Sequence, residues 1–224
     1  MELINPDMVL FDLDGTLVDS VPDMAWSVDA MLDSIGLPGC GEQKIRHWIG
    51  DGLENLIKRA LTDNMHTDLD PSLFEKAFRL FLDIYAANTC RATCIYDGVV
   101  SGLDYLKKHK YRLGCVTNKR EQFTRRILEV LCINNRFEIV ISGDTLPRKK
   151  PDPLPLLHAA DFFNAKPENS LLVGDSINDI TAARAAGFRV ICVSYGYNHG
   201  HDIRDAAPDA VIDSIAELPS LLTA

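Results

Sequence analysis

The stretch Met8-Val9-Leu10-Phe11-Asp12-Leu13-Asp14-Gly15-Thr16 decides how the rest of the chain reads. Four apolar residues without polar alternation are the pattern of a strand covered on both faces. They run straight into two carboxylates two residues apart. Like charges that close are costly unless a cation or a proton lies between them. Gly15 allows the tight turn that aims backbone amides at an anion. By itself, Asp-x-Asp-Gly reads equally well as an acidic turn. The choice depends on what else the chain brings to the same place.

Working outward, five more apolar runs lie at residues 113–116, 139–141, 171–173, 190–193 and 210–212, and helical patterns follow most of them. In residues 120–131, Phe123, Ile127 and Leu131 form one stripe. Asp152-Pro153 reads as an N-cap followed by a first-turn proline. Residues 176–186 form an alanine-rich helix that Gly187 ends. Strand–helix alternation predicts an α/β fold with a doubly wound, Rossmann-like parallel sheet.

One interval breaks the alternation. Residues 20–94 contain no strand pattern. Met24, Val28, Met31, Leu32 and Ile35 mark one helical face, and Leu53, Leu56, Ile57 and Ala60 mark another. Phe74, Phe78, Phe81 and Tyr85 mark a third after Asp70-Pro71. This predicts an all-helical cap domain, 20–94, inserted into a catalytic core of 1–19 and 95–224. The alternative is a helical extension packed on the sheet edge.

Net charge is -9, and the nearest basic run is only Arg148-Lys149-Lys150. That argues against a nucleic-acid partner. It also means that an anionic substrate needs local compensation from a metal ion or a positioned lysine. There is no apolar run of membrane-spanning length, and residues 1–7 lack the basic start and apolar stretch of a secretory leader. Cys115 and Cys192 lie inside apolar runs and read as buried thiols. Cys90 and Cys94 lack the second pair a zinc site needs. The expectation is a reduced, cytoplasmic protein, monomeric or homodimeric. His199-Gly200-His201 is too small a set for zinc and reads as a mobile, solvated loop. Trp48, beside Gly50-Asp51-Gly52, reads as either a site wall or a core residue.

Three further polar segments each follow a strand run: Thr117-Asn118, Lys150-Pro151, and Gly174-Asp175-Ser176-Ile177-Asn178-Asp179. In open α/β sheets, ligands bind beyond the carboxyl ends of the strands, so all four segments should meet at one rim. Their oxygens and lysine suit Mg2+ beside a phosphoryl group. In this reading Asp12 is the nucleophile, and Asp14 is the acid and base. Thr117 and Asn118 bind the transferring oxygens, Lys150 holds their charge, and Asp175 is a further metal ligand. Asp179, three residues after Ser176, reads both as half of a capping box and as support for the metal site. Asp175 could instead cap that helix. Lys150 is preferred to Lys149 because a residue before proline has a restricted backbone.

These segments resemble the four motifs of haloacid dehalogenase superfamily phosphatases. Residues 12–20 resemble the first, Thr117-Asn118 the second, Lys150-Pro151 the third, and Gly174-Asp175-Ser176-x-x-Asp179 the fourth. The resemblance implies an aspartyl-phosphate on Asp12. It also implies a metal held by the Asp12 side chain, the Asp14 backbone carbonyl and Asp175. The helical insertion resembles the cap of one subgroup. Residues 48–52, 178–187 and 194–198 are most similar to bacterial phosphoglycolate phosphatases, which implies a small phosphorylated metabolite, 2-phosphoglycolate, as substrate. Lys44, Arg46 and the Gly50–Gly52 turn are candidates for holding its carboxylate. A sugar phosphomutase of the same superfamily and a non-enzymatic phospho-accepting receiver module are the alternatives. A dehalogenase would leave Asp14 and Asp175 without a role.

Overall fold

The computed structural model describes residues 5–64 and 69–222. Residues 1–4, part of the segment read above for a leader, lie outside the described residues. The first strand, β1 (Met8–Phe11), is followed by a two-residue strand, β2 (Val18–Asp19). Four helices come next: α1 (Val21–Ser34), α2 (Glu42–Trp48), α3 (Leu53–Thr62) and α4 (Pro71–Asn88). The chain then alternates through β3 (Cys94–Ile95), α5 (Val99–Lys108), β4 (Arg112–Val116), α6 (Glu121–Val130) and β5 (Ile139–Ile141). It ends with α7 (Leu154–Phe163), β6 (Ser170–Gly174), α8 (Ile177–Ala186), β7 (Arg189–Val193) and β8 (Ala210–Ile212).

Six strands form a parallel sheet in the order β5-β4-β1-β6-β7-β8. The pleat sends alternate β1 residues to opposite faces. Val9 and Phe11 join a cluster with Leu103 and Leu106 of α5 and Ile127 of α6. Met8 and Leu10 join one with Leu156 and Ala159 of α7 and Ala183 of α8. Both faces are therefore dry, which explains why the strand lacks polar alternation. The strand order runs one way from β1 to β4 and β5, and the other way to β6, β7 and β8. The crevice at this switch lies beyond the carboxyl end of β1, where Asp12 stands.

The doubly wound sheet agrees with the sequence reading, and so do the three helical faces. Met24, Val28, Met31, Leu32, Leu53, Leu56, Ile57, Ala60, Phe81 and Tyr85 all lie in one buried cluster. The chain enters this helical block through β2 and leaves it through β3, which pair antiparallel as Val18↔Ile95 and Asp19↔Cys94. Helix α2 was not legible, because only Ile45 and Trp48 of its seven residues are buried and no stripe forms. Trp48 belongs to the helical cluster, which settles it as a core residue. Helix α7 starts one residue later than expected. Pro153 occupies the N-cap position, and Asp152 accepts from the Leu154 N–H at 2.9 Å. All six cysteines are free, with Cys115 and Cys192 buried. Among the described residues, no helix is long and apolar enough to cross a membrane.

Candidate active site

The carboxyl ends of three neighbouring strands carry the reactive side chains. Asp12 follows β1, Thr117 follows β4, and Asp175 follows β6. Lys150 arrives from the loop after β5. Its Nζ lies 2.9 Å from Asp12 Oδ1 and 2.7 Å from Asp179 Oδ1. It also donates to the Val116 carbonyl at 2.7 Å. Lys149 instead approaches Glu54, at 3.8 Å, so the preference for Lys150 is a matter of direction along the chain.

Asp179 forms the anticipated capping box and also meets Lys150. Its Oδ2 closes a capping box, accepting from the Ser176 hydroxyl at 2.6 Å and the Ser176 N–H at 3.1 Å. Its Oδ1 takes Lys150. Asp175 does not cap the helix. Its oxygens accept from the Thr16 hydroxyl and the Tyr197 N–H, each at 2.8 Å. Gly15, at φ +87°, passes so close to Asp175 and Tyr197 that a side chain there would displace them.

One carboxylate oxygen from each of Asp12, Asp175 and Asp179 falls within 4.8 Å of the others. The buried Lys150 meets two of these three acids, Asp12 and Asp179. Burial pushes Asp12 up to about 6, against the opposing pull of Lys150. Burial raises Asp175 well above the carboxylate range, and the charges of Asp12 and Asp179 add to the effect. Asp12 Oδ1 is buried without an aligned hydrogen bond. A surplus of buried negative charge on hard oxygen donors fits a divalent cation such as magnesium.

The Asp14 side chain turns away from this trio. It accepts from the Ser20 hydroxyl at 2.5 Å and from Lys119 Nζ at 2.9 and 3.0 Å. Lys119 was missed in the sequence, although it directly follows Thr117-Asn118. Its ammonium also faces the Tyr85 ring, 5.3 Å from the centroid. Asn118 lines the cavity beside Thr117. Its amide donates to the Lys150 carbonyl at 2.9 Å and the Gly50 carbonyl at 3.3 Å, so it braces the loops around the site. Thr117 Oγ1 accepts from the Lys119 N–H, which leaves the hydroxyl proton for a ligand oxygen.

The roof of the cavity comes from Met24, Ile49, Gly50, Leu53 and Leu56 of the helical block. Lys44 and Arg46 do not line it. Lys44 pairs with Asp63 on the surface, and Arg46 pairs with Asp19 and Glu42. The reading of residues 199–201 as a mobile, solvated loop is corrected at His199. Its Nδ1 lies 2.8 Å from the His47 carbonyl, its Nε2 lies 3.6 Å from Asp51 Oδ2, and it lines the cavity. Tyr197, two residues earlier, is 5% exposed. Its N–H holds Asp175, its hydroxyl donates to Asp19 at 2.8 Å and accepts from the Ser20 N–H at 3.0 Å, and Arg46 lies over its ring.

The family model described as haloacid dehalogenase-like hydrolase matches residues 9–193, from β1 through β7. The chain belongs to this family. It is a hydrolase. The chain is 56% identical, over 99% of its length and 98% of the relative's, to a phosphoglycolate phosphatase of Nitrosococcus oceani. It is 43% identical, over 96% of its length and 95% of the relative's, to a phosphoglycolate phosphatase of Thiobacillus denitrificans. A crystal structure of a predicted phosphoglycolate phosphatase from Haemophilus somnus superposes with a TM-score of 0.90 at 35% identity, covering 96% of each chain.

Proposed function

We propose that this haloacid dehalogenase-like hydrolase is a magnesium-dependent phosphatase that converts 2-phosphoglycolate to glycolate and phosphate through an aspartyl-phosphate on Asp12. The observation that carries the reading is the placement of Asp12, which stands at a strand tip between a buried lysine and Asp175, lining the cavity that the helical block roofs. The substrate comes from the names of the full-length relatives.

In this mechanism Asp12 attacks phosphorus while the phosphorus–oxygen bond to glycolate breaks. Asp14, in its protonated form, gives its proton to the leaving oxygen. It then takes a proton from the water that displaces Asp12 from phosphorus. Lys119 and Ser20 hold the Asp14 carboxyl in place for both transfers. Lys150 balances charge on Asp12 and the phosphoryl oxygens, and the Thr117 hydroxyl donates to one of those oxygens. A magnesium ion held by Asp12, Asp175 and the Asp14 backbone carbonyl would supply the charge neutralisation that two approaching anions require. Asp179 supports that set by anchoring Lys150 and the turn at Ser176.

Residues 20–94 act as a lid on a core of 1–19 and 95–224. Support comes from the narrow β2–β3 ribbon at the crossing and from polar contacts over the cavity, where Arg120 meets Glu54 at 2.8 Å and Asn178 meets Asp51 at 3.0 Å. The partner is a small phosphorylated metabolite, with no nucleic acid or membrane, and the chain works as a monomer or homodimer. Six free thiols support a reducing, cytoplasmic setting.

The deciding experiment is turnover of a panel of phosphorylated metabolites with and without chelator. Phosphoglycolate should rank first by kcat/KM, chelation should stop release of inorganic phosphate, and added magnesium should restore it. Full turnover after exhaustive chelation would sink the metal assignment. Appearance of a phosphorylated sugar product in place of free phosphate would favour a mutase. A second variant separates the two aspartates of the first motif. Asp14→Asn should lower kcat about a hundredfold or more yet keep magnesium affinity, because only its backbone is expected to bind the ion. Loss of magnesium binding by calorimetry would instead make Asp14 a side-chain ligand.

A further inference from the structure

We propose that His199 is the specificity-determining residue, binding the carboxylate of the substrate while the core rim binds its phosphoryl group; the inference rests on the phosphoglycolate reading above. The argument begins with the donors that face the cavity. Three cationic side chains line it: Lys119, Lys150 and His199. Lys119 is spent on both oxygens of Asp14, and Lys150 on Asp12 and Asp179.

Most of the neutral donors are spent as well. Asn118 uses its amide hydrogens on the carbonyls of Gly50 and Lys150. Asn178 uses its own on the Gly50 carbonyl at 3.4 Å and on Asp51. Ser176 donates to Asp179, and the Tyr197 hydroxyl to Asp19. Among the side chains lining the cavity, this leaves the Thr117 hydroxyl, His199 Nε2 and the second amide hydrogen of Asn198, whose first goes to the His201 carbonyl at 3.1 Å; of the three, only His199 can carry a charge. Thr117 stands on the strand tip beside that of Asp12, at the phosphoryl end. His199 stands against the Gly50 turn of the helical block. A substrate with an anion at each end matches that division.

The local chemistry of His199 suits a carboxylate. Nδ1 donates to the His47 carbonyl, which fixes the ring and leaves Nε2 as the variable nitrogen. Nε2 lies 3.6 Å from Asp51, beyond hydrogen-bond reach but close enough for its charge to be felt. Asp51 is already neutralised by Arg59 at 2.5 Å, so an arriving carboxylate meets net positive charge. Asp51 also holds the His199 imidazolium above the usual histidine range, against the opposing effect of burial. Gly50, at φ +122°, presents a bare Cα to the ring, where a Cβ would stand 3.7 Å from Nε2. A larger residue would cover the one free nitrogen.

The test compares 2-phosphoglycolate with ethyl phosphate, which replaces the carboxylate by a methyl group. Steady-state kinetics on the magnesium-loaded enzyme are measured for wild type, His199→Gln and His199→Ala. The wild type should strongly prefer phosphoglycolate. In both variants the ratio of kcat/KM for phosphoglycolate over ethyl phosphate should fall roughly 10- to 100-fold, the range of one hydrogen bond between charged groups. The loss should be carried by KM for phosphoglycolate. A purely structural role for His199 would lower both substrates together and leave the ratio unchanged, which overturns the proposal. If wild type prefers phosphoglycolate and the variants keep that preference, the inference fails and the function stands. If wild type hydrolyses ethyl phosphate as well as phosphoglycolate, both fail.

Discussion

Asp12→Asn is expected to lower kcat by about 10⁵-fold while the protein remains folded. The substitution removes the attacking carboxylate with almost no change in volume. Lys150 keeps Asp179 and the Val116 carbonyl as partners, so it is not orphaned. A second, independent readout comes from stability in chelator-treated protein. Burial moves the Asp12 pKa from the ordinary 3.8 to about 6. A carboxyl with a raised folded-state pKa stabilises the fold while it is protonated, and that contribution disappears as pH rises through the folded value. Asparagine does not titrate. The Tm of the variant should therefore gain on that of wild type as pH rises from about 4 to about 7. Near-normal turnover by purified Asp12→Asn would remove the nucleophile assignment. A Tm difference flat across that range would show that Asp12 is less cut off from water than its burial indicates.

Lys150→Met should damage both stability and rate. Burial opposes the charge on Lys150, yet Asp12 and Asp179 hold its ammonium above the ordinary lysine range. Replacing it leaves two buried carboxylates and the Val116 carbonyl without their donor. Breaking a buried pair from one side costs about 3–5 kcal/mol, or roughly 10 °C in Tm for a chain of this size. Loss of charge beside the transferring oxygens should cost a further factor of about 10²–10³ in kcat. The double variant Lys150→Met with Asp179→Asn should recover part of the stability and none of the rate, because it removes one stranded charge but not the catalytic deficit. A single variant as stable as wild type would mean that the acids at this rim are less isolated from water than their burial indicates.

The four strand-tip segments were legible because a parallel sheet converts sequence order into a shared rim. A run of apolar residues ending in Asp, Thr or Asp says where the side chain stands before any contact is known. The helical block was legible where a stripe of four or five apolar residues faces a common core, as in α1, α3 and α4. It was not legible at α2, which buries two side chains. Lys119 escaped for a different reason: it meets Asp14 across 105 positions of chain, and a lysine after asparagine has no local mark of burial. His199 escaped in the same way. Its partners, His47 and Asp51, sit on another element, and its Gly-flanked setting gives the signal of a solvated loop. The contacts of Asn118 within the protein were not legible either, since the sequence does not show that Gly50 comes down to meet it.

Tyr197 bears on how such proteins can be rebuilt. One residue touches Asp175 through its amide, Asp19 and Ser20 through its hydroxyl, and Arg46 through its ring. Ser20 in turn grips Asp14. A chimera carrying a foreign helical insert between residues 20 and 94 would therefore inherit more than a new roof. Unless the transplant supplied matching groups at 20 and 46, and its splice spared Asp19, the mismatch would be felt at the aspartates of the sheet rim.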